Sequence, residues 1–215
     1  MSLSQSNPSE SPNIANAVPR IVYGEGVDPS IVVSPEEKAE SSRALGRTDE
    51  AIANSAIYLD PKPRLLNKGT HYPNWLGRRR FSSVPELQDV KGDIVRISTV
   101  MRDKHLKPVP RSAELMNKTS VHEDVHAAQA ERNDRNVKIG WGIISAATLA
   151  GATMGHNAGD GRGALTRGVM TASGAFVGYM AGYRVAPHER QARKTAGQVL
   201  SGKAEVTTRA ITRKS

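Results

Sequence analysis

Residues 139–183 read IGWGIISAATLAGATMGHNAGDGRGALTRGVMTASGAFVGYMAGY. The stretch 139–155 carries no charge, and 168–183 carries none either. Each is close to the lower limit of about 17 residues for a membrane span. Both are rich in Gly, Ala, Ser and Thr rather than Leu, so their drive to insert is weak. Gly151 and Gly155 form one small-xxx-small pair, and Gly174, Gly178 and Gly182 form a longer row. Such rows let two helices approach closely. The linking residues 156–167, HNAGDGRGALTR, read as a turn. The pattern predicts an apolar helical hairpin. It leaves two settings open, a bilayer or a tightly packed soluble core.

A helical hairpin returns the chain to the side it left. Arg135 and His188 must therefore end near each other, whichever setting holds. Both flanks carry metal-ligating residue types. Before the hairpin, residues 122–126 read HEDVH. After it, residues 188–192 read HERQA.

Histidines at i and i+4 share one helix face. His122 and His126 can both present imidazole nitrogens to one ion, about 2.0–2.1 Å away for zinc. Glu123 then points near the same ion without ligating it. From there it can take a proton from activated water and return it to a leaving amine. A catalytic zinc site needs a third protein ligand. A third His ten residues after the first would fall on Arg132, which excludes that spacing. Glu131 lies on the same helix, rotated about 140° from His126, and Asp134 lies too far along it. Glu189, opening the helix after the hairpin, is the remaining candidate. Pro187 suits the first turn of that helix.

HExxH, an apolar helical hairpin and then E-R-x-A resemble the gluzincin zinc peptidases. The pattern is most similar to the membrane-embedded group that includes the CAAX prenyl endopeptidase and the heat-shock membrane protease. The resemblance covers roughly 115–200 through His122, Glu123, His126, Glu189 and Ala192. It implies a zinc-dependent metalloendopeptidase, with Zn2+ held by His122, His126 and Glu189 and with Glu123 as general base. Two positions depart from the family. Arg193 stands where an Asp usually supports the first ligand His, and Asp124 lies inside the motif. Asp124 or a backbone carbonyl could take over that support of His122. His188, Tyr179 and Tyr183 are the candidates for stabilising an oxyanion. The resemblance also places a substrate-binding sheet edge above the active helix, and DIVRISTV at 93–100 is the strand expected there.

The whole chain has 215 residues, room for one ordinary domain. The fold class expected is α+β, mainly α, with a zincin-like active-site helix, a small sheet and the hairpin. Residues 1–50 are polar and read as a largely disordered segment, with two apolar patches, IVYG and SIVV. Residues 51–201 form the domain, hairpin 139–183 included, and 202–215 read as a basic flexible tail. AIYLD at 56–60 reads as a strand. The stretch THYPNWLGRRRF reads as a loop, with GRRRF a solvated basic cluster. Ser120 and Glu123 form a possible capping box, and an earlier helix start is equally compatible. His71 and His105 lie outside the metal constellation.

Net charge is +9, which suits anionic lipid or nucleic acid but names neither. Aromatics make up 4%, against a stacking platform for single strands, and no nucleic-acid partner is expected. No cysteine is present, so thiolate ligands and nucleophiles are excluded. The expected partner is a peptide or protein substrate. Basic residues flank the open ends of the hairpin, which puts the metal site on the cytoplasmic face if the hairpin spans a membrane. The N-terminus has no standard signal peptide. Its Ser-rich composition also resembles that of secreted bacterial effectors. The runner-up function is a non-catalytic glycine-zipper protein for membrane or helix association.

Overall fold

A computed structural model describes residues 17–63, 69–201 and 210–214. The chain is α+β and mainly helical. Its elements run β1 (Arg20–Tyr23), β2 (Ile31–Val33), α1 (Pro35–Ala44), α2 (Asp49–Asn54), β3 (Ala56–Asp60), β4 (Gly69–Tyr72), α3 (Asn74–Arg80), β5 (Ile94–Ser98), β6 (Val100–Arg102), β7 (Pro108–Pro110), α4 (Ala113–Glu131), α5 (Arg135–Ala158), α6 (Ala164–Val185), α7 (Pro187–Leu200) and β8 (Ile211–Arg213).

The main sheet has the order β1-β3-β5-β4. β1, β3 and β5 are parallel, and β4 pairs antiparallel with β5 at the edge. All five residues of β5 are buried, because both faces of this strand are covered. Ile57, Leu59, Val95 and Ile97 pack with Met116 of α4 on one side of the sheet. Ala56 and Ile94 pack with Phe81, Leu87 and Val90 on the other.

Helix α4 begins at an N-cap, Ser112, whose hydroxyl accepts from the Leu115 N–H. Arg111, buried just before it, donates to the carbonyls of Ser98 and Leu115 and to the Thr119 hydroxyl. The start of α4 is thereby fixed to the end of β5. α4 stops at Glu131, and Asn133 takes a left-handed conformation at φ 51° before α5 begins. Val121, Val125 and Ala128 of α4 pack on Ala192, Ala196 and Val199 of α7. Both sets follow helical spacing, so the two helices share a narrow apolar seam.

The hairpin forms as α5 and α6. Its glycine rows face each other: a Cβ on Gly151 would lie 2.1 Å from the Gly174 carbonyl oxygen, and one on Gly178 would lie 2.1 Å from that of Ala147. The rows are used within the hairpin. Its outer faces carry Leu149, Met154, Leu165, Val169, Phe176 and Val177, all exposed.

Several expectations are corrected. Within the segment expected to be disordered, residues 17–50 are folded. IVYG supplies β1, which pairs with β3, and SIVV supplies β2, which pairs with β8. These partners lie far away in sequence, so the short patches show no local sign of order. Residues 1–16 lie outside the described residues. The C-terminal tail is not all flexible. Ile211 exchanges two hydrogen bonds with the Asn117 side chain, Nδ2 to O and N to Oδ1, both 2.9 Å. Residues 202–209 lie outside the described residues. The stretch given as a loop holds β4 and α3, with Arg78, Arg79 and Arg80 in the last turn of α3. DIVRISTV is central rather than the edge, and β4 is the edge beside α4.

Candidate metal centre

His122 and His126 come from the middle of α4, one turn apart. Glu189 comes from the first turn of α7. The seam between these helices brings the three together. His122 Nε2 and His126 Nε2 are 3.2 Å apart. His126 Nε2 lies 3.2 Å from Glu189 Oε1, and His122 Nε2 lies 3.5 Å from Glu189 Oε2. Among the described residues these three form the group able to share one ion.

The lengths test the fit. Tetrahedral ligands about 2.0–2.1 Å from zinc stand about 3.3–3.4 Å from one another. The two imidazole nitrogens, 3.2 Å apart, match that spacing; Glu189 meets them with a different oxygen each, at 3.2 and 3.5 Å, and one ligand atom from each of the three lies within 4.8 Å of the others. Glu189 Oε2 is buried and accepts no hydrogen bond, with the His122 ring at 3.5 Å and Arg193 at 3.9 Å as its charged neighbours. A buried carboxylate oxygen without a hydrogen bond keeps a lone pair for a ligand. Burial alone would raise the Glu189 carboxyl, but the neighbouring His122 and His126 rings outweigh it and hold it well below the usual carboxylate range. The third ligand is thus ionised and ready.

Glu123 is also buried, on the side of α4 that meets β4. Gly69 makes this approach possible. A Cβ there would lie 2.4 Å from Thr119 Cγ2 and 2.8 Å from Glu123 Oε1. Burial raises the Glu123 carboxyl, against the opposing charges of His126 and His122. A carboxylate of raised basicity beside a metal group can act as a general base.

The rejected acids go elsewhere. Glu131 Oε1 accepts from the N–H and hydroxyl of Thr48, and Asp134 caps α5 through the Asn136 N–H. Asp124 does not support His122. It turns to the other side of α4 and pairs with Lys38 of α1. Arg193, in the place of the expected Asp, reaches Glu189 Oε2 at 3.9 Å and lies over the Tyr183 ring at 5.8 Å. His71 stays outside the metal group and pairs with Asp93 at 3.3 Å.

His188 is buried against the base of the hairpin. Its ring stacks on Trp141 at 6.1 Å and fills a notch at Gly140, where a Cβ would lie 1.8 Å from Nδ1. Burial lowers its pKa. Two of the oxyanion candidates reach the third ligand: His188, with Nε2 3.8 Å from Glu189 Oε1, and Tyr183, whose hydroxyl interacts with the same carboxylate. Three contributors escaped the sequence reading: Gln129, Gly140 and Lys38. Gln129 had a readable signal, since a polar residue three after a helical ligand His lies within reach of its ring. Gly140 and Lys38 act through distant elements and had none. No family model matches this chain, and no curated protein or solved structure matches it either.

Proposed function

We propose that the protein is a zinc-dependent metalloendopeptidase. The ligand triangle with Glu123 beside it carries this reading. His122, His126 and Glu189 would hold the metal and leave its fourth position open. When bound, zinc supplies a Lewis acid that polarises the scissile carbonyl and acidifies water. Glu123 takes the proton of the attacking water and returns it to the leaving amine. β4, the free antiparallel edge beside α4, would receive the substrate backbone as an added strand. Placing β4 over the active helix is also what a zincin-like arrangement requires.

Two imidazoles and a carboxylate suit other first-row ions as well. Metal analysis of the purified protein decides among them. About one zinc per chain is expected, lost in His122→Ala and in Glu189→Ala. Zinc retained in both variants, or iron in its place, rejects the assignment.

The outer surface of the hairpin supports a membrane setting for this site. α5 is long and apolar enough to cross a membrane, by length and composition, and little of it is covered by other parts of the chain. At 1.5 Å per residue, the 24 and 22 residues of α5 and α6 extend about 36 and 33 Å, against a hydrocarbon core of about 30 Å. Arg135, Lys138, Arg184, Arg190, Arg193 and Lys194 surround the base, where Trp141 is exposed. The tip carries Arg162 and an Arg167–Asp160 pair. In a bilayer this puts the metal centre at the basic, cytoplasmic surface. The protein should float with phosphatidylcholine–phosphatidylserine vesicles and stay bound in high salt. Leu149→Asp with Phe176→Asp should abolish flotation. A wild-type chain that stays unbound rejects the insertion. A chain that floats but binds no metal supports the runner-up, a non-catalytic membrane protein.

A further inference from the structure

Gln129 lies one turn beyond His126 on α4 and is 4% exposed. Its Oε1 is 3.0 Å from His126 Nδ1. Its Nε2 is 3.3 Å from the His188 carbonyl oxygen and 3.2 Å from Gln191 Oε1. A primary amide has one acceptor oxygen and one nitrogen with two N–H donors. Two oxygens of α7 take up the nitrogen, so the amide cannot be turned round. Its oxygen faces His126 and can only accept. His126 must therefore carry a hydrogen on Nδ1, which reserves Nε2 as the nitrogen that can face the metal.

We propose that Gln129 is a positioning residue of the metal centre, fixing His126 in the Nδ1–H form and tying it to the helix that carries Glu189. This rests on the metal reading above and adds the group that supports it. The carbonyl that Gln129 grips belongs to His188, the residue just before Glu189. One side chain therefore sets the spacing between a ligand on α4 and a ligand on α7. The His188 ring, lodged at Gly140, carries the same fixation into the base of α5. The family pattern puts its acidic support behind the first histidine. Here the built support stands behind the second.

A specific tautomer pattern follows. In the metal-free protein both Nε2 atoms face Glu189, His126 at 3.2 Å from Oε1 and His122 at 3.5 Å from Oε2, so any hydrogen on either is directed at that carboxylate. Metal binding displaces such hydrogens from Nε2, while the Nδ1–H that Gln129 accepts from His126 is kept.

Long-range proton–nitrogen NMR on the full chain with labelled histidine tests this, with His126 assigned through His126→Ala. At a pH where the imidazoles are neutral, His126 should be in the Nδ1–H form with and without zinc. An Nε2–H form of His126 in the metal-free protein overturns the proposal. Zinc affinity, read by competition with a chromophoric chelator, gives the second arm. Gln129→Met should weaken binding about 10–100-fold. Gln129→Glu, which keeps the acceptor, should recover part of that loss. Affinity unchanged in the Met variant overturns the proposal. A wild type that binds no zinc overturns the metal reading itself. If Gln129→Met does not fold, the wild-type tautomer still decides.

Discussion

Glu123→Gln is expected to keep about one zinc per chain and to abolish peptide hydrolysis. The substitution preserves size and shape at a buried position and removes only the capacity to take a proton. Glu123 is not one of the three grouped ligands, so the triangle of His122, His126 and Glu189 stays intact. General acid–base catalysis contributes about 10²–10⁴-fold, and the loss should be of that order or larger. Cleavage of a mixed peptide pool, followed by mass spectrometry, gives the rate, and metal analysis of the same sample gives occupancy. Hydrolysis at the wild-type rate in the Gln variant would show that the proton passes through another group. Loss of zinc would show instead that Glu123 holds the ion. The raised Glu123 pKa fits the base role, because a more basic carboxylate binds the transferred proton better at neutral pH.

What the sequence disclosed, and what it hid, follows from range. HEDVH lies within one helical turn, so its shared face follows from helix geometry alone. Glu189 is far off in sequence, but the hairpin made its return a matter of topology. The first strands are different. IVYG and SIVV are four residues each, and only their pairing with β3 and β8 orders them. The edge strand was misplaced for a related reason. β-branched residues mark DIVRISTV as a strand but do not say how many neighbours it has. GTHY is polar and short, and it becomes β4 only because β5 offers a free side. Helix spacing alone puts Gln129 within reach of the His126 ring, but its grip on the His188 carbonyl of α7 is shown by no local pattern.

Asp124 is the clearest case, since inside HExxH it reads as a blemish. In the fold it is the partner of Lys38, and each is 1% exposed. The Lys38 ammonium donates to Asp124 Oδ2 and to the Ser120 hydroxyl. Asp124 follows Glu123 and points about 100° further round α4. The pair therefore anchors the helix to α1 on the side away from the ligands, which keeps the histidines facing α7. Lys38→Met is expected to destabilise the protein by about 3–5 kcal/mol, because it leaves a buried carboxylate without its counter-charge. Burial already raises the Asp124 carboxyl, and losing Lys38 removes the main opposing influence. A carboxyl raised above its unfolded value of about 3.9 binds more protons folded than unfolded. The single variant should therefore gain stability as pH falls towards that value. Lys38→Met with Asp124→Leu should recover most of the loss, since an apolar pair of similar volume is neutral or better than a buried ion pair. Urea unfolding of the three proteins across pH measures this. A single variant within about 1 kcal/mol of wild type, with no gain on acidification, would mean that Asp124 meets water and that α4 is oriented by its apolar seam alone.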